Sequence, residues 1–184
     1  MSFSKVWEYV NPVIVGSTDQ EARLYSVPGG AIDKITSTQR SQLLNDLSLN
    51  GKPLKVYAPT NSDKSVGDSF AEHLIKNGNK VWHYNFSWLS PAFDGRLGAA
   101  HFVDVPFTFN ALGSEQAKNF VGDEPPQKLA NTIHQNWIEF ARTGQVSWDN
   151  YKLTDRTTMR FDVDSEAVND PERDVRMLWT DYSF

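Results

Sequence analysis

The alternation of apolar and polar positions along the chain predicts a mixture of strands and amphipathic helices. The longest helical pattern runs from about Pro126 to Thr143, where apolar residues recur every three or four positions and Gly144 follows as the terminating residue. The best strand pattern is the aromatic-rich run over residues 81–88, which lies between turn-forming residues. This mixture predicts an α/β fold.

Weaker patterns predict shorter elements on either side of these two. Residues 12–16 are a β-branched run that predicts a buried strand ended by Gly16, and residues 158–163 alternate as an edge strand does. Residues 110–126 carry no clear pattern, which predicts a long surface loop. Three further helices are predicted, near residues 38–47, over residues 68–76 and after Pro171.

Composition narrows the class of protein. The 184 residues include 18 Lys and Arg against 23 Asp and Glu, and the net charge of −5 argues against a nucleic-acid partner. Cysteine is absent, which excludes disulfides and thiolate metal sites. Because the apolar runs are far shorter than the ~20 residues of a membrane span, and the first residues lack an apolar signal core, we expect a soluble, cytoplasmic protein with no membrane partner.

Histidines are the natural candidates for proton transfer near neutral pH. Three of the four suggest structural roles: His73 on an exposed helical face, His83 within the aromatic strand and His134 off the apolar helix face. Since no pair has the i, i+4 spacing of a helical zinc site, we expect no metal and no cofactor. His101 differs, because it follows the best strand, has small neighbours and precedes Asp104 by three positions. Reactive groups occupy such loops in α/β enzymes, although a structural loop histidine is the common alternative.

A carboxylate and a serine would complete a set of catalytic groups. Glu21 lies just past the first predicted strand, where a carboxylate can orient an imidazole, and an exposed loop acid or a cap is the ordinary alternative. A serine nucleophile is typical of a G-x-S-x-G turn between a strand and a helix, and this motif does not occur in the sequence. The nearest match surrounds Ser69, lacks the preceding apolar strand and is better explained as a helix cap.

Four motifs occur together in a fixed order along the chain. They are GSTDQEA from Gly16, VWHYNF from Val81, GAAH from Gly98 with DVPFTF from Asp104, and WIEFARTG from Trp137 followed by Trp148 and Tyr151. Together they resemble the C-terminal part of the type B carboxylesterases, the family of para-nitrobenzyl esterases and cholinesterases. The resemblance covers nearly all of residues 1–184. It implies the C-terminal portion of an α/β-hydrolase fold, a partial sheet with flanking helices.

The resemblance also implies roles for single residues. Glu21 matches the acid of the family's catalytic triad, His101 matches its general base, and Asp104 lies at a supporting position where the family has glutamate. Because the triad of this fold runs serine, acid, histidine along the chain, the serine should precede Glu21, where no serine sits in an elbow. We therefore expect the serine and the oxyanion hole to come from an N-terminal segment that this sequence lacks. The open edge of the first strand should pair with that segment or with a second copy of the chain.

Three positions depart from the family pattern beside these residues. Gln20 replaces an aspartate before the acid. Ala22 and Phe102 replace the glycines that follow the acid and the base, and both add bulk next to side chains that must meet.

The function implied by the resemblance is hydrolysis of a small-molecule carboxylic ester. Alternatives stay open at this point. The chain can be a non-catalytic, cholinesterase-like binding or interaction module, or an inactive remnant. It can also be a self-sufficient hydrolase that uses Ser69.

Overall fold

A mixed sheet organises the chain. The computed structural model describes residues 12–39 and 70–178, and within these ranges four strands form one sheet in the order β1-β2-β3-β4. The first three strands are mutually parallel and the fourth is antiparallel to the third. The strands are β1 Val13–Thr18, β2 Val81–Phe86, β3 Thr157–Phe161 and β4 Glu166–Asn169.

Helices pack on both faces of this sheet, which gives the predicted α/β fold. The helices are α1 Arg23–Ser26, α2 over residues 70–76, α3 Val105–Thr108, α4 Glu115–Val121, α5 Gln127–Thr143 and α6 Arg173–Leu178, with a short 3-10 turn at Ile32–Lys34. Among the described residues, no helix combines the length and the apolar character needed to cross a membrane.

The main core lies between the sheet and α5. Successive residues of a strand point to opposite faces, so Trp82 and Phe86 of β2 face α5 and pack in one cluster with Leu129 and Ile133. A buried side chain of this size contributes about 1.5–3 kcal/mol. The opposite face of the sheet carries a smaller cluster, formed by Val15, Ala71, Leu74, Val81 and Tyr151.

The prediction for β1 is wrong at its end. Gly16 was expected to end the strand, but β1 continues to Thr18 because Ser17 and Thr18 pair in register with β2 and are buried. A side chain at Gly16 would overlap the Tyr84 ring that lies across it. The glycine therefore serves close packing inside the strand. Only β2 pairs with β1 in the described part of the chain, so the other edge of β1 is open there.

Two more predictions are corrected beyond β2. The segment expected to be an edge strand, β3, lies inside the sheet, because β4 pairs with it on the far side. The short β4 is mostly exposed and lacks the apolar alternation that would have predicted it. Residues 110–126 are not a bare loop, since Ser114 accepts a hydrogen bond from Ala117 N–H and caps α4.

The strongest helix prediction is confirmed. The α5 helix ends at Gly144, which has φ 70° and donates its N–H to the Phe140 carbonyl at 2.8 Å. The predicted α2 is present over residues 70–76, and a helix also follows Pro171. The predicted helix over residues 38–47 lies outside the described residues from residue 40 onward.

Candidate active site

Glu21 lies at the carboxyl end of β1, on the turn that leads into α1. The Thr18 N–H, at the last position of the strand, donates to Glu21 Oε1 at 2.8 Å. This bond ties the carboxylate to the rigid end of the sheet, and the side chain is only 15% exposed. Functional groups of α/β proteins commonly occupy this end of the parallel strands.

His101 reaches the same end of the sheet from β2 through a loop whose last four residues, 97–100, are buried. A bridge between Ser90 and Gly98 returns the chain toward the sheet, and Ala99 and Ala100 are fully buried just before the histidine. The imidazole itself points outward and is 52% exposed. The buried residues Ala99 and Ala100 therefore lead into a histidine whose side chain is accessible to solvent.

The two side chains form a direct acid–imidazole pair. His101 Nδ1 lies 2.7 Å from Glu21 Oε2. Because a carboxylate accepts, this contact assigns the proton to Nδ1 and leaves Nε2 as the acceptor nitrogen of the neutral ring. Among the described residues nothing hydrogen-bonds Nε2. The exposed Tyr25 ring stacks on the imidazole, with centroids 6.1 Å apart and planes 24° apart.

Hydrogen bonds also join the two loops that carry this pair. Gln20 N–H donates to the Ala99 carbonyl at 2.8 Å, and His101 N–H donates to the Glu21 carbonyl at 3.2 Å. The Gln20 side chain adds a third bond, since its Oε1 accepts from Ala99 N–H at 3.0 Å. Gly98 makes room for this amide, because a Cβ on it would overlap Gln20 Oε1.

Asp104 lies behind the pair as a second carboxyl group. It accepts a hydrogen bond from Tyr84 Oη at 3.4 Å and does not cap α3, although it occupies the N-cap position. Burial raises the pKa of Asp104, and the nearby charge of Glu21 raises it further. Burial and the charge of Asp104 also raise the pKa of Tyr84, so the phenol is a neutral donor.

Both residues that replace family glycines are accommodated. Ala22 has φ −69° and ψ −11°, ordinary helical values. Phe102 has φ 75°, in the left-handed region that favours glycine, and its ring packs on Phe120 at 5.3 Å. The acid–imidazole contact of 2.7 Å forms with both side chains present.

The other histidines lie apart from this pair. His73 is exposed beside Asn77, and His83 is buried with Nδ1 3.1 Å from Thr158 Oγ1. His134 Nδ1 donates to the Thr108 carbonyl at 2.8 Å and joins α5 to α3. Within the described ranges, no group of three or more His, Asp and Glu side chains is arranged to hold a metal ion.

No serine joins the pair in the part of the chain that the structure describes. Ser17 is buried in β1 and lines a small cavity with His83 and Asn85. Ser69 lies outside the described residues. The arrangement by itself can hold a proton at Nδ1 and accept one at Nε2.

Sequence reasoning missed three residues that shape the pair. Tyr25, Tyr84 and Gln20 contact the imidazole, Asp104 and the His101 loop, respectively. Two of them lay in the motifs that carry the resemblance, Gln20 next to the acid and Tyr84 within VWHYNF, but neither motif indicated these contacts. No spacing rule connects the two tyrosines to a site formed by residues far away in sequence.

Comparison with known proteins finds sequence similarity to parts of two enzymes. No protein-family model matches the chain. Phenmedipham hydrolase of Pseudarthrobacter oxydans is 44% identical over 69 residues, which are 36% of this chain and 14% of that protein. Para-nitrobenzyl esterase of Bacillus subtilis (strain 168) is 38% identical over 103 residues, 52% of this chain and 21% of that protein. The chain resembles part of a type B carboxylesterase.

Solved structures agree on the fold. The carboxylesterase Est55 of Geobacillus stearothermophilus, at pH 6.2, superimposes with a TM-score of 0.68 and 23% identity over 92% of this chain. The match takes in 40% of the esterase, so the chain spans about two fifths of that structure's length. The fold is accordingly part of an α/β-hydrolase fold.

Proposed function

We propose that the chain supplies the acid and the general base of a carboxylic ester hydrolase. Glu21 is the acid, His101 is the base, and Asp104 supports them. The nucleophilic serine and the oxyanion hole come from an N-terminal hydrolase segment outside the printed sequence, and the substrate is a small carboxylic ester. The observation that carries the proposal is the 2.7 Å contact between His101 Nδ1 and Glu21 Oε2.

The contact suits the chemistry of the base. Glu21 fixes the neutral imidazole in the tautomer with a proton on Nδ1, so Nε2 is free to take the proton of a serine hydroxyl. The resulting imidazolium is stabilised by the same carboxylate, and Nε2 later returns the proton to the leaving alcohol. The 52% exposure of the His101 side chain leaves Nε2 open to a second segment.

The absence of a nucleophile elbow and the short matched length both support a serine that comes from another segment. The printed chain has no nucleophile elbow, and the matched region is a minor part of each relative. Within the described residues one edge of β1 has no partner strand, and its backbone groups can pair with another segment. Self-association through that edge is the alternative partner.

A two-piece esterase tests the proposal. The chain would be co-purified with the part of the Bacillus subtilis esterase that precedes the segment matched by this chain, and hydrolysis of a p-nitrophenyl ester measured. We expect Glu21→Gln and His101→Ala to lower kcat by about 10²–10⁴-fold, the usual contribution of acid–base catalysis. The matched controls are Glu139→Gln and His73→Ala, both at exposed positions.

The other functions predict different outcomes. If neither Glu21→Gln nor His101→Ala changes turnover, the acid–base assignment is wrong and a binding module or an inactive remnant is favoured. A fluorophosphonate probe added to the 184-residue chain alone should give no labelling. Stoichiometric labelling at Ser69 would instead support a self-sufficient hydrolase.

A further inference from the structure

Three hydrogen bonds join the loop that carries Glu21 to the loop that carries His101, and Gln20 makes two of them. Its N–H and its Oε1 bind the carbonyl and the N–H of the same residue, Ala99, at 2.8 and 3.0 Å. The next bond along, from His101 N–H to the Glu21 carbonyl, is 3.2 Å long. One glutamine therefore satisfies both backbone groups of the residue two positions before the imidazole.

Because Ala99 is buried, its N–H depends on the hydrogen bond to the Gln20 side chain. Ala99 is fully buried, so without an acceptor its N–H would be isolated from water and from any other hydrogen-bond partner. Gly98, with φ 60°, leaves room for the amide, because a Cβ there would overlap Gln20 Oε1. The amide is thus fitted between the two loops.

The exposed imidazole of His101 depends on its surroundings to stay on the Glu21 carboxylate. The His101 side chain is 52% exposed whereas Glu21 is 15% exposed, so water competes for the imidazole and reduces what the contact contributes by itself. The 2.7 Å contact therefore depends also on the Thr18 N–H that holds the other Glu21 oxygen and on the backbones that carry Glu21 and His101. Gln20 is adjacent to the first and binds the segment that leads into the second.

We propose that Gln20 is a positioning residue, which holds the His101 loop against the Glu21 loop so that Nδ1 stays on the carboxylate. The inference rests on the proposed function for its catalytic meaning. The effect of Gln20 on the contact between His101 and Glu21 can be measured on the 184-residue chain alone, without an activity assay. For this role, residue 20 needs a side chain long enough to place an acceptor oxygen within hydrogen-bond distance of Ala99 N–H.

Two substitutions of equal reach separate the acceptor from the packing. Gln20→Met keeps the length of the side chain and removes the acceptor, whereas Gln20→Glu keeps an acceptor. Gln135→Met is the matched control, since Gln135 is exposed on α5. Imidazole ¹H–¹⁵N spectra of the 184-residue chain report the Nδ1–H proton of His101, and amide hydrogen exchange reports Ala99 and His101 N–H.

We expect Gln20→Met to lose or broaden the Nδ1–H signal and to speed exchange at Ala99 at least tenfold relative to Ala117 N–H in α4. Gln20→Glu and the Gln135→Met control should keep the Nδ1–H signal. In the two-piece esterase, Gln20→Met should lower kcat with KM little changed. An unchanged Nδ1–H signal and unchanged exchange in Gln20→Met would overturn the proposal.

A milder variant keeps the test decisive if Gln20→Met does not fold. Gln20→Asn withdraws the acceptor by one methylene, and we expect faster exchange at Ala99 with the overall fold retained; unchanged exchange would overturn the proposal. Failure of the proposed function is a separate result. It would appear as unaltered turnover in Glu21→Gln and His101→Ala, whatever the spectra of the Gln20 variants show.

Discussion

Phe102 lies beside the candidate base and has a backbone conformation that disfavours its side chain. Its φ is 75°, and the ring is 43% exposed while packing on Phe120. We predict that Phe102→Gly is more stable than Phe102→Ala. This order is the reverse of that found at ordinary positions, where alanine is the more stable residue.

The magnitude follows from two terms, since both variants lose the same aromatic ring. A residue with a Cβ in the left-handed region costs about 1–2 kcal/mol, and glycine avoids that penalty. Glycine in turn makes the unfolded chain more flexible, which costs about 0.5–1 kcal/mol. The mid-range values leave Phe102→Gly more stable than Phe102→Ala by about 0.75 kcal/mol, within a range of about 0–1.5 kcal/mol.

Urea denaturation of the two variants measures this difference. Phe109 provides the matched control, because it is an exposed phenylalanine with φ −91°. At Phe109 alanine should be at least as stable as glycine. If alanine is the more stable residue at both positions, the backbone of Phe102 is not strained and the reasoning fails.

Three other changes test single features of the fold. Burial raises the pKa of Asp104 in the folded protein above its unfolded value, so between these two values the native state binds more protons and the free energy of unfolding falls as pH rises through the folded pKa. Asp104→Asn should remove that fall, which amounts to about 1.4 kcal/mol for each pH unit between the two pKa values. Urea denaturation at a series of pH values measures it. Ser114→Ala should lower the free energy of unfolding by about 1 kcal/mol, because it removes the cap of α4, and an unchanged value would contradict the cap. Gly144→Ala should destabilise by at least about 1 kcal/mol, since φ is 70° and a Cβ would lie 2.7 Å from Pro12 Cγ; thermal unfolding with no loss would refute it.

Elements with a strong periodic pattern could be predicted from the sequence. The α5 helix has an apolar face and a terminating glycine, and β2 is rich in aromatic residues. The β4 strand could not be predicted, because an exposed edge strand has no buried face to impose alternation on its residues. The same reasoning explains the error at β3, whose inner position depends on that missed partner.

The sequence predicted that Glu21 and His101 would meet, but it did not predict the contacts around them. Motif order pointed to Glu21 and His101, which the fold brings together from positions 80 residues apart. The contacts of Gln20 and Tyr25 depend on where a loop returns to the sheet, and no local pattern encodes that return. The separate serine-bearing segment, the catalytic roles and the cytoplasmic location stay predictions.

Ala22 and Phe102, which stand where the family pattern has glycine, differ in backbone conformation in a way that the sequence does not indicate. In sequence, Ala22 and Phe102 are equivalent departures beside the acid and the base. In the structure Ala22 has helical dihedral angles that any residue adopts, whereas Phe102 is left-handed. Of these two positions, only Phe102, next to His101, is strained. Its relaxation toward negative φ would rotate the peptide between His101 and Phe102. The hydrogen bonds of the preceding segment to Gln20 and Glu21 oppose that rotation, so a stable acid–imidazole contact and a strained Phe102 are consequences of the same anchoring.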